Sequence, residues 1–166
     1  MFKTILISDE NVYLQMKILR SIVTDNVCVY TSPIREELYS KWLFQSKIGT
    51  EPSIIDKFIT ENKDVTLIID NFEDKLNIEK WFVRRKDISV ILVVYKPEEI
   101  SNKVRCNVNY VIVQPSCSND LIDWTRRKLF LQNWTDIELT LEKNTLLIDH
   151  TVDSSDFNEC VKYIQF

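Results

Sequence analysis

Apolar and polar positions along this chain alternate in short blocks with two different periods. Thr4–Ile7 is a short apolar run, read as a first strand, and Val12–Val23 carries Val12, Met16, Leu19, Ile22 and Val23 at helical spacing. Val27–Tyr30 reads as a second strand, stopped by Ser32-Pro33. Ile34–Phe44 and Ile54–Ile59 read as helices around the break between Gly49 and Pro52. Val65–Ile69 is a β-branched run ending in Asp70, with the length and composition of a buried parallel strand. Ile78–Val83 is helical, and Ile88–Tyr95 is the longest apolar run. Tyr110–Val113 is a further strand, ended by Pro115. Ser118, with Asn119 and Asp120 behind it, fits the N-cap of a helix running through Leu131. Ile137–Leu141 and Leu146–Asp149, with a turn at Lys143-Asn144, predict two more strands, and a last helix begins near Ser154. Strand–helix alternation of this kind predicts an α/β fold, a three-layer, mostly parallel sheet with helices on both faces. No repeat, low-complexity tract or linker interrupts the pattern, so one domain is expected over residues 1–166.

Charge narrows the function classes. The 21 basic residues are interspersed among 25 acidic ones, and the net charge of −4 gives no support to strong nucleic-acid binding by the monomer. Cys28, Cys106, Cys117 and Cys160 lie far apart, and His150 is the single histidine, which is not a zinc pattern. Cys28 and Cys160 sit inside apolar runs and read as buried thiols. Without a signal peptide or a long apolar span, the expected setting is intracellular and cytoplasmic, with no membrane segment. Gly49 is the one glycine of the chain, whereas phosphate-binding loops need several to bring backbone close to the anion.

In open α/β sheets ligands bind at the carboxyl ends of the strands. The polar residues there are Ser8-Asp9-Glu10, Asp70-Asn71, Tyr95-Lys96 and Gln114. Carboxylates after two strands could hold magnesium, a hard cation that takes oxygen ligands. The plainer alternative is that any buried strand must end in polar residues where the loop meets water.

Two families resemble this layout. Ile5-Leu6-Ile7-Ser8-Asp9-Glu10 resembles the first strand and acidic pair of response-regulator receiver domains, Asp70 falls at their phosphoacceptor, and Gln114-Pro115 resembles their Lys-Pro. The switch Ser/Thr position is Val94 or Tyr95, however, and the lysine is replaced by Gln114. The second resemblance covers nearly the whole chain. Leu67 to Leu76, reading LIIDNFEDKL, resembles the Walker B strand and turn of the DNA-packaging ATPases of poxviruses and related large DNA viruses, in the FtsK–HerA superfamily. Phe82-Val83-Arg84-Arg85 before Ile88–Leu92 resembles that family's helix-end arginine and next strand. Val104 to Tyr110 resembles its arginine–asparagine segment, Asn144–Asp149 with Asp153-Ser154-Ser155 its closing strand and turn, and Tyr30 to Pro33 the end of its second strand.

That resemblance implies a P-loop-NTPase-like fold with its nucleotide site degraded at Ser8, Asp9, Glu10, Asn11, Asp70, Asn71 and Tyr95. The Walker A loop belongs between Ile7 and the helix containing Met16, where residues 8–15 contain no glycine and no Lys-Ser/Thr pair. Asp9 and Glu10 put negative charge where a triphosphate would lie; like charges ~4 Å apart near a protein surface repel by about 4 kcal/mol. Asp70 matches the Walker B aspartate, but the following acid that activates water is Asn71, and losing a general base typically removes ~10²–10⁴-fold in rate. The sensor glutamine aligns with Tyr95. Arg84 matches the arginine that reaches a neighbouring subunit's nucleotide, with a solvated helix-end cation as the plain alternative. Arg105 is a second possible contact residue, paired in the family segment with Asn107.

The implied protein is a catalytically inactive ATPase-like component with no catalytic residue, no cofactor and no metal. It would act in virion assembly or DNA packaging through protein partners: copies of itself, an active ATPase or virion-assembly proteins, in host cytoplasm or virion. An active packaging ATPase with a non-standard site and an atypical receiver using Asp70 are the alternatives. Trp42, Trp81, Trp124 and Trp134 are candidate interface anchors or core residues.

Overall fold

The structure is a computed structural model and describes residues 1–8, 11–43, 46–70, 73–96, 100–115, 144–153 and 157–165. Strand β1 (Lys3–Ile7) leads into helix α1 (Val12–Ile22), β2 (Val27–Thr31) into α2 (Pro33–Trp42), and β3 (Lys47–Gly49) into α3 (Pro52–Glu61). Next come β4 (Thr66–Asp70), α4 (Lys75–Glu79) with a π-helical turn over Lys80–Arg84, β5 (Ser89–Val94), α5 (Asn102–Arg105) and β6 (Tyr110–Val113). Strand β7 (Thr145–Asp149), the one-turn helix α6 (Phe157–Cys160) and β8 (Val161–Ile164) complete the described elements. The predicted helix from Ser118 to Leu131, the strand Ile137–Leu141, Cys117, Trp124 and Trp134 lie outside the described residues.

The strands form one sheet in the order β3-β2-β4-β5-β1-β6-β7-β8, parallel from β3 through β6 and antiparallel at β7 and β8. The expected mostly parallel α/β sheet is therefore present. Side chains alternate across it. Ile5, Ile7, Cys28, Tyr30, Leu67, Ile69, Val90, Leu92, Val94, Val111 and Val113 pack on one face with Ile55 and Ile59 of α3, Ile78, Trp81, Phe82 and Val104. Leu6, Val27, Val29, Ile68, Ile91, Val93 and Ile112 pack on the other with Met16, Ile18 and Leu19 of α1 and Tyr39 of α2. Both faces are covered, which is why the strands read as continuous apolar runs. Each buried aliphatic side chain contributes about 1.5–3 kcal/mol.

Strand β1 pairs with β5 and β6. In the receiver-type order the first strand lies between the second and third. The receiver alternative is therefore corrected: Asp70 sits on a different topology. Three elements were not anticipated: the short edge strand β3, the single turn α5, and β8. Of the terminal helix expected from near Ser154, residues 154–156 lie outside the described residues and α6 is present; it stops at Cys160, where Val161 pairs with Ile148 and the chain runs antiparallel to β7. Trp81 is fully buried and its indole N–H donates to Asp56 Oδ1 at 2.9 Å, so it is a core residue and not an interface anchor. Trp42 is half-buried, edge-on to Tyr13 with Arg20 stacked over it. Cys28 and Cys160 are buried, as the apolar runs around them suggested, and burial pushes the Cys28 thiol up to about 12.

At the amino edge of the sheet, Lys3 Nζ donates to the carbonyls of Arg85 (2.6 Å), Ile88 (3.1 Å) and Trp81 (3.4 Å), tying the end of the π-helical turn to β1. Burial pulls the Lys3 ammonium from 10.5 down to about 8, against the attraction of Asp87. Between those values the unfolded chain holds the extra proton, so this lysine makes stability rise as pH climbs from about 8 towards 10.5. Urea unfolding across that range is expected to show a smaller rise for Lys3→Met than for the native protein; identical slopes would contradict the buried environment of Lys3.

Candidate functional site

On the face covered by α1 and α2, the inward rows of the central strands turn polar one step beyond the last apolar layer. Val27 and Val29 are followed by Thr31, Ile68 by Asp70, Ile91 and Val93 by Tyr95, Leu6 by Ser8, and Ile112 by Gln114. Period-two geometry places all five on the same face, at the carboxyl edge. Thr31 pairs in register with Asp70, while the Ser8 and Gln114 amides donate to Val94 and Ile7 carbonyls, extending the ladder to this layer.

Asp70 is the charged centre of the layer and is 5% exposed. Arg35, on the first turn of α2, reaches its carboxylate with Nη1 at 3.0 Å and 3.3 Å from the two oxygens. One helical turn later, the Tyr39 hydroxyl donates to Asp70 Oδ2 at 2.7 Å. The Tyr95 hydroxyl lies 3.4 Å from the same oxygen, accepts a bond from Arg35, and donates to Gln15 Oε1 at 2.7 Å. Gln15, fully buried on α1, donates to Tyr39 at 3.1 Å. Its carbonyl is 3.1 Å from the Ser8 hydroxyl, which lies 3.0 Å from Gln114 Oε1. The Arg35 guanidinium also stacks over the Tyr95 ring at 4.3 Å. One hydrogen-bonded chain thus runs from α2 through β4, β5 and α1 to β1 and β6.

Burial pushes the Asp70 carboxyl upward, opposed by the Arg35 charge and the hydroxyls of Tyr39 and Tyr95. Burial also works against the Arg35 charge, but Asp70 and Tyr95 outweigh it and raise its affinity for the proton. Tyr39 and Tyr95 are both raised, first by burial and then by the neighbouring Asp70 charge, so neither hydroxyl supplies a phenolate near neutral pH. Among the described residues, the Asp70 carboxylate is met by the Arg35 guanidinium and by the hydroxyls of Tyr39 and Tyr95.

Of the residues singled out from the sequence, Ser8, Asp70 and Tyr95 meet in this layer, together with Gln114. Asp9, Glu10 and Asn71 lie outside the described residues. Asn11 caps α1, its side chain accepting from the Leu14 amide at 3.1 Å. Only residues 8–11 separate β1 from α1. Arg84 and Arg105 are not brought to the cluster. They end the helical segments that precede β5 and β6, at the opposite, amino edge of the sheet, where the dipole favours cations. Sequence reasoning missed Arg35, Tyr39 and Gln15. The i, i+4 spacing of Arg35 and Tyr39 directly after the second strand was the available signal. Among the described residues no three His, Cys, Asp or Glu side chains cluster as metal ligands.

Comparison with solved structures then finds matches along the full length. The chain superposes on the DNA-packaging ATPase of Sulfolobus turreted icosahedral virus with a TM-score of 0.71 at 11% identity, covering 99% of this chain and 97% of that one. In fold, the chain is similar to viral genome-packaging ATPases. The genome-packaging NTPase of Sulfolobus turreted icosahedral virus 2 matches in its complex with ATP-gammaS (TM-score 0.62, 11% identity, 99% and 96% covered) and in its complex with sulfate (0.66, 12%, 99% and 96%). No protein-family model matches the sequence, and no curated protein matches it significantly. The packaging-ATPase-like fold is therefore carried by three-dimensional similarity rather than by sequence identity.

A polar residue that merely ends a strand at the surface would shift stability by less than ~0.5 kcal/mol when replaced. The burial and pairing of Asp70 give a different expectation. Asp70→Asn leaves Arg35 without its counter-charge, and removing one member of a buried pair costs about 3–5 kcal/mol. Because a third of the Arg35 side chain is exposed, the expected loss in urea unfolding is reduced to about 1–3 kcal/mol. Adding Arg35→Met to Asp70→Asn is expected to recover part of it; simple additivity would contradict the coupling.

Proposed function

We propose that this chain is a single packaging-ATPase-like domain whose nucleotide site has been closed by its own side chains, and that it acts through protein contacts in a viral packaging or assembly context. The observation that carries the reading is the Arg35–Asp70 pair with its two tyrosines. In P-loop enzymes the Walker B carboxylate supports magnesium. Here the aligned carboxylate is neutralised by a guanidinium from its own chain.

The residues present do not fit a magnesium–nucleotide complex. A phosphate cradle needs glycine-rich backbone and a lysine, whereas residues 8–15 supply neither. The Asn11 side chain takes an α1 amide that could otherwise face an anion. Tyr95 fills the place of the sensor glutamine with a hydroxyl committed to Asp70, Gln15 and Arg35. Together these features favour an inactive member of the fold over an active ATPase with an unusual site.

The solved relatives are genome-packaging enzymes by their descriptions, and their fold gives the proposal its viral packaging context. Arg84 is exposed at the amino edge, far from Asp70 in the same chain, and in this reading would serve a contact with another molecule. No helix among the described residues is long and apolar enough to cross a membrane.

Melting with and without Mg-ATP tests the reading. A ligand at ~100 times its dissociation constant raises stability by about 2.7 kcal/mol. No shift is expected; a clear upward shift would overturn the closed site. Arg84→Ala is expected to weaken any self-assembly seen in analytical ultracentrifugation, and an unchanged distribution of species would make Arg84 a solvated surface charge.

A further inference from the structure

At the amino edge of the sheet, Lys3, the end of the π-helical turn and the segment after α5 line a cavity of about 340 Å³. That is the size of a small-molecule site. It stands apart from the polar layer around Asp70 and shares no residue with it. Lys3 and Lys86 bring positive charge to its lining, Asn107 and Asn109 bring side-chain amides, and Val83 and Val108 are apolar. Among the described residues that line it, none is acidic.

The carboxyl ends of helices ordinarily repel anions, because their last carbonyls carry the negative end of the dipole. Around this cavity those carbonyls already have donors. Lys3, 8% exposed, gives its Nζ hydrogens to the carbonyls of Trp81, Arg85 and Ile88. At the end of α5 the Cys106 and Asn107 amides bond the Asn102 and Val104 carbonyls, and the Asn107 side chain bonds that of Lys103 at 2.8 Å.

The groups left over are donors. Asn109 Oδ1 accepts from the Lys3 amide at 2.8 Å, which fixes that side chain and leaves its Nδ2 without a partner among the described residues. Lys86 is exposed and likewise has no hydrogen bond or ion pair among them. Asp87, the carboxylate beside it in sequence, is already held by two nitrogens of Arg85 at 2.5 and 2.8 Å.

We propose that this cavity binds a small organic acid, with its carboxylate or phosphate head on Lys86 and the Asn109 amide and its body against Val83 and Val108. The Lys3 charge adds to the attraction without leaving its three carbonyls. A cation and a fixed amide donor together favour an oxyanion over a neutral molecule of the same shape.

The test takes benzoate and phenyl phosphate as probes and benzamide as the uncharged match, at pH 7. Cys106 is exposed and lines the cavity, so its alkylation by iodoacetamide, followed in the full chain by peptide mass mapping, reports occupancy. At least one of the two anions is expected to slow alkylation at Cys106 saturably, and benzamide to leave it unchanged. Protection by both marks a site for oxyanions in general, and protection by one names the head group it takes. Two variants locate the site. Lys86→Gln removes the exposed charge; Asn109→Asp keeps the oxygen that accepts from Lys3 and turns the free donor into an acceptor. Each should weaken the protecting anion by ~tenfold, the scale of one charge-assisted hydrogen bond. An unchanged melting temperature checks folding, and Lys86→Gln, on an exposed side chain, carries the test alone if Asn109→Asp is destabilised.

No protection by either anion, or equal protection by benzamide, would overturn the proposal. So would protection that Lys86→Gln leaves intact, since the anion would then sit elsewhere. Binding of Mg-ATP would instead defeat the closed-site reading and leave these results standing.

Discussion

A carboxylate at the end of a buried strand needs a counter-charge, and Arg35 supplies it to Asp70 from the first turn of α2. The pair decides much else at this edge. It fixes the start of α2 over β4, and it places Tyr39 one turn later on the same carboxylate. Tyr39 and Tyr95 both meet Gln15, which brings α1 and β1 into the same network. In an active nucleotide site such positions face a ligand that comes and goes. In this structure the partners are side chains of the same chain, and the layer at the sheet edge is held together by hydrogen bonds instead of apolar contact. Buried polar groups are tolerated when they find partners, and each residue from Arg35 through Asp70, Tyr39, Tyr95, Gln15 and Ser8 to Gln114 has at least one.

Two opposed edges follow from the parallel sheet. The carboxyl edge carries the polar layer around Asp70. The amino edge carries Lys3 under three carbonyls and, close by, the exposed Arg84. A sheet of this kind delivers every strand end on one side to a single surface, so a few substitutions there change the chemistry without disturbing the cores on either face.

The central strands were legible because both their faces are buried: Thr4–Ile7, Val65–Ile69, Ile88–Tyr95 and Tyr110–Val113 all correspond to observed strands within a residue or two at each end. The edge elements were not. Lys47–Gly49 is too short and polar to carry a period, and Val161–Ile164 is a strand only because β7 pairs with it. Asp70 and Tyr95 were recognisable as polar residues ending long buried apolar runs. Arg35 was not, since a charged residue on the first turn of a helix ordinarily reads as solvated surface. Its role depends on a partner 35 residues away, and no local pattern encodes that distance. Gln15 was hidden differently, as a polar residue inside an apolar helical stripe whose neighbours carried the pattern.

The side-chain carbon of Asp70 reports most directly on whether Arg35 has taken the place of a cation. In ¹³C NMR of the native protein, the Asp70 carboxyl resonance is expected to stay fixed when Mg-ATP is titrated to millimolar concentration, as befits a carboxylate held by a guanidinium and two hydroxyls. A titratable shift of that resonance, or its broadening when Mn²⁺ replaces Mg²⁺, would mean that a metal displaces Arg35 and that the site is open.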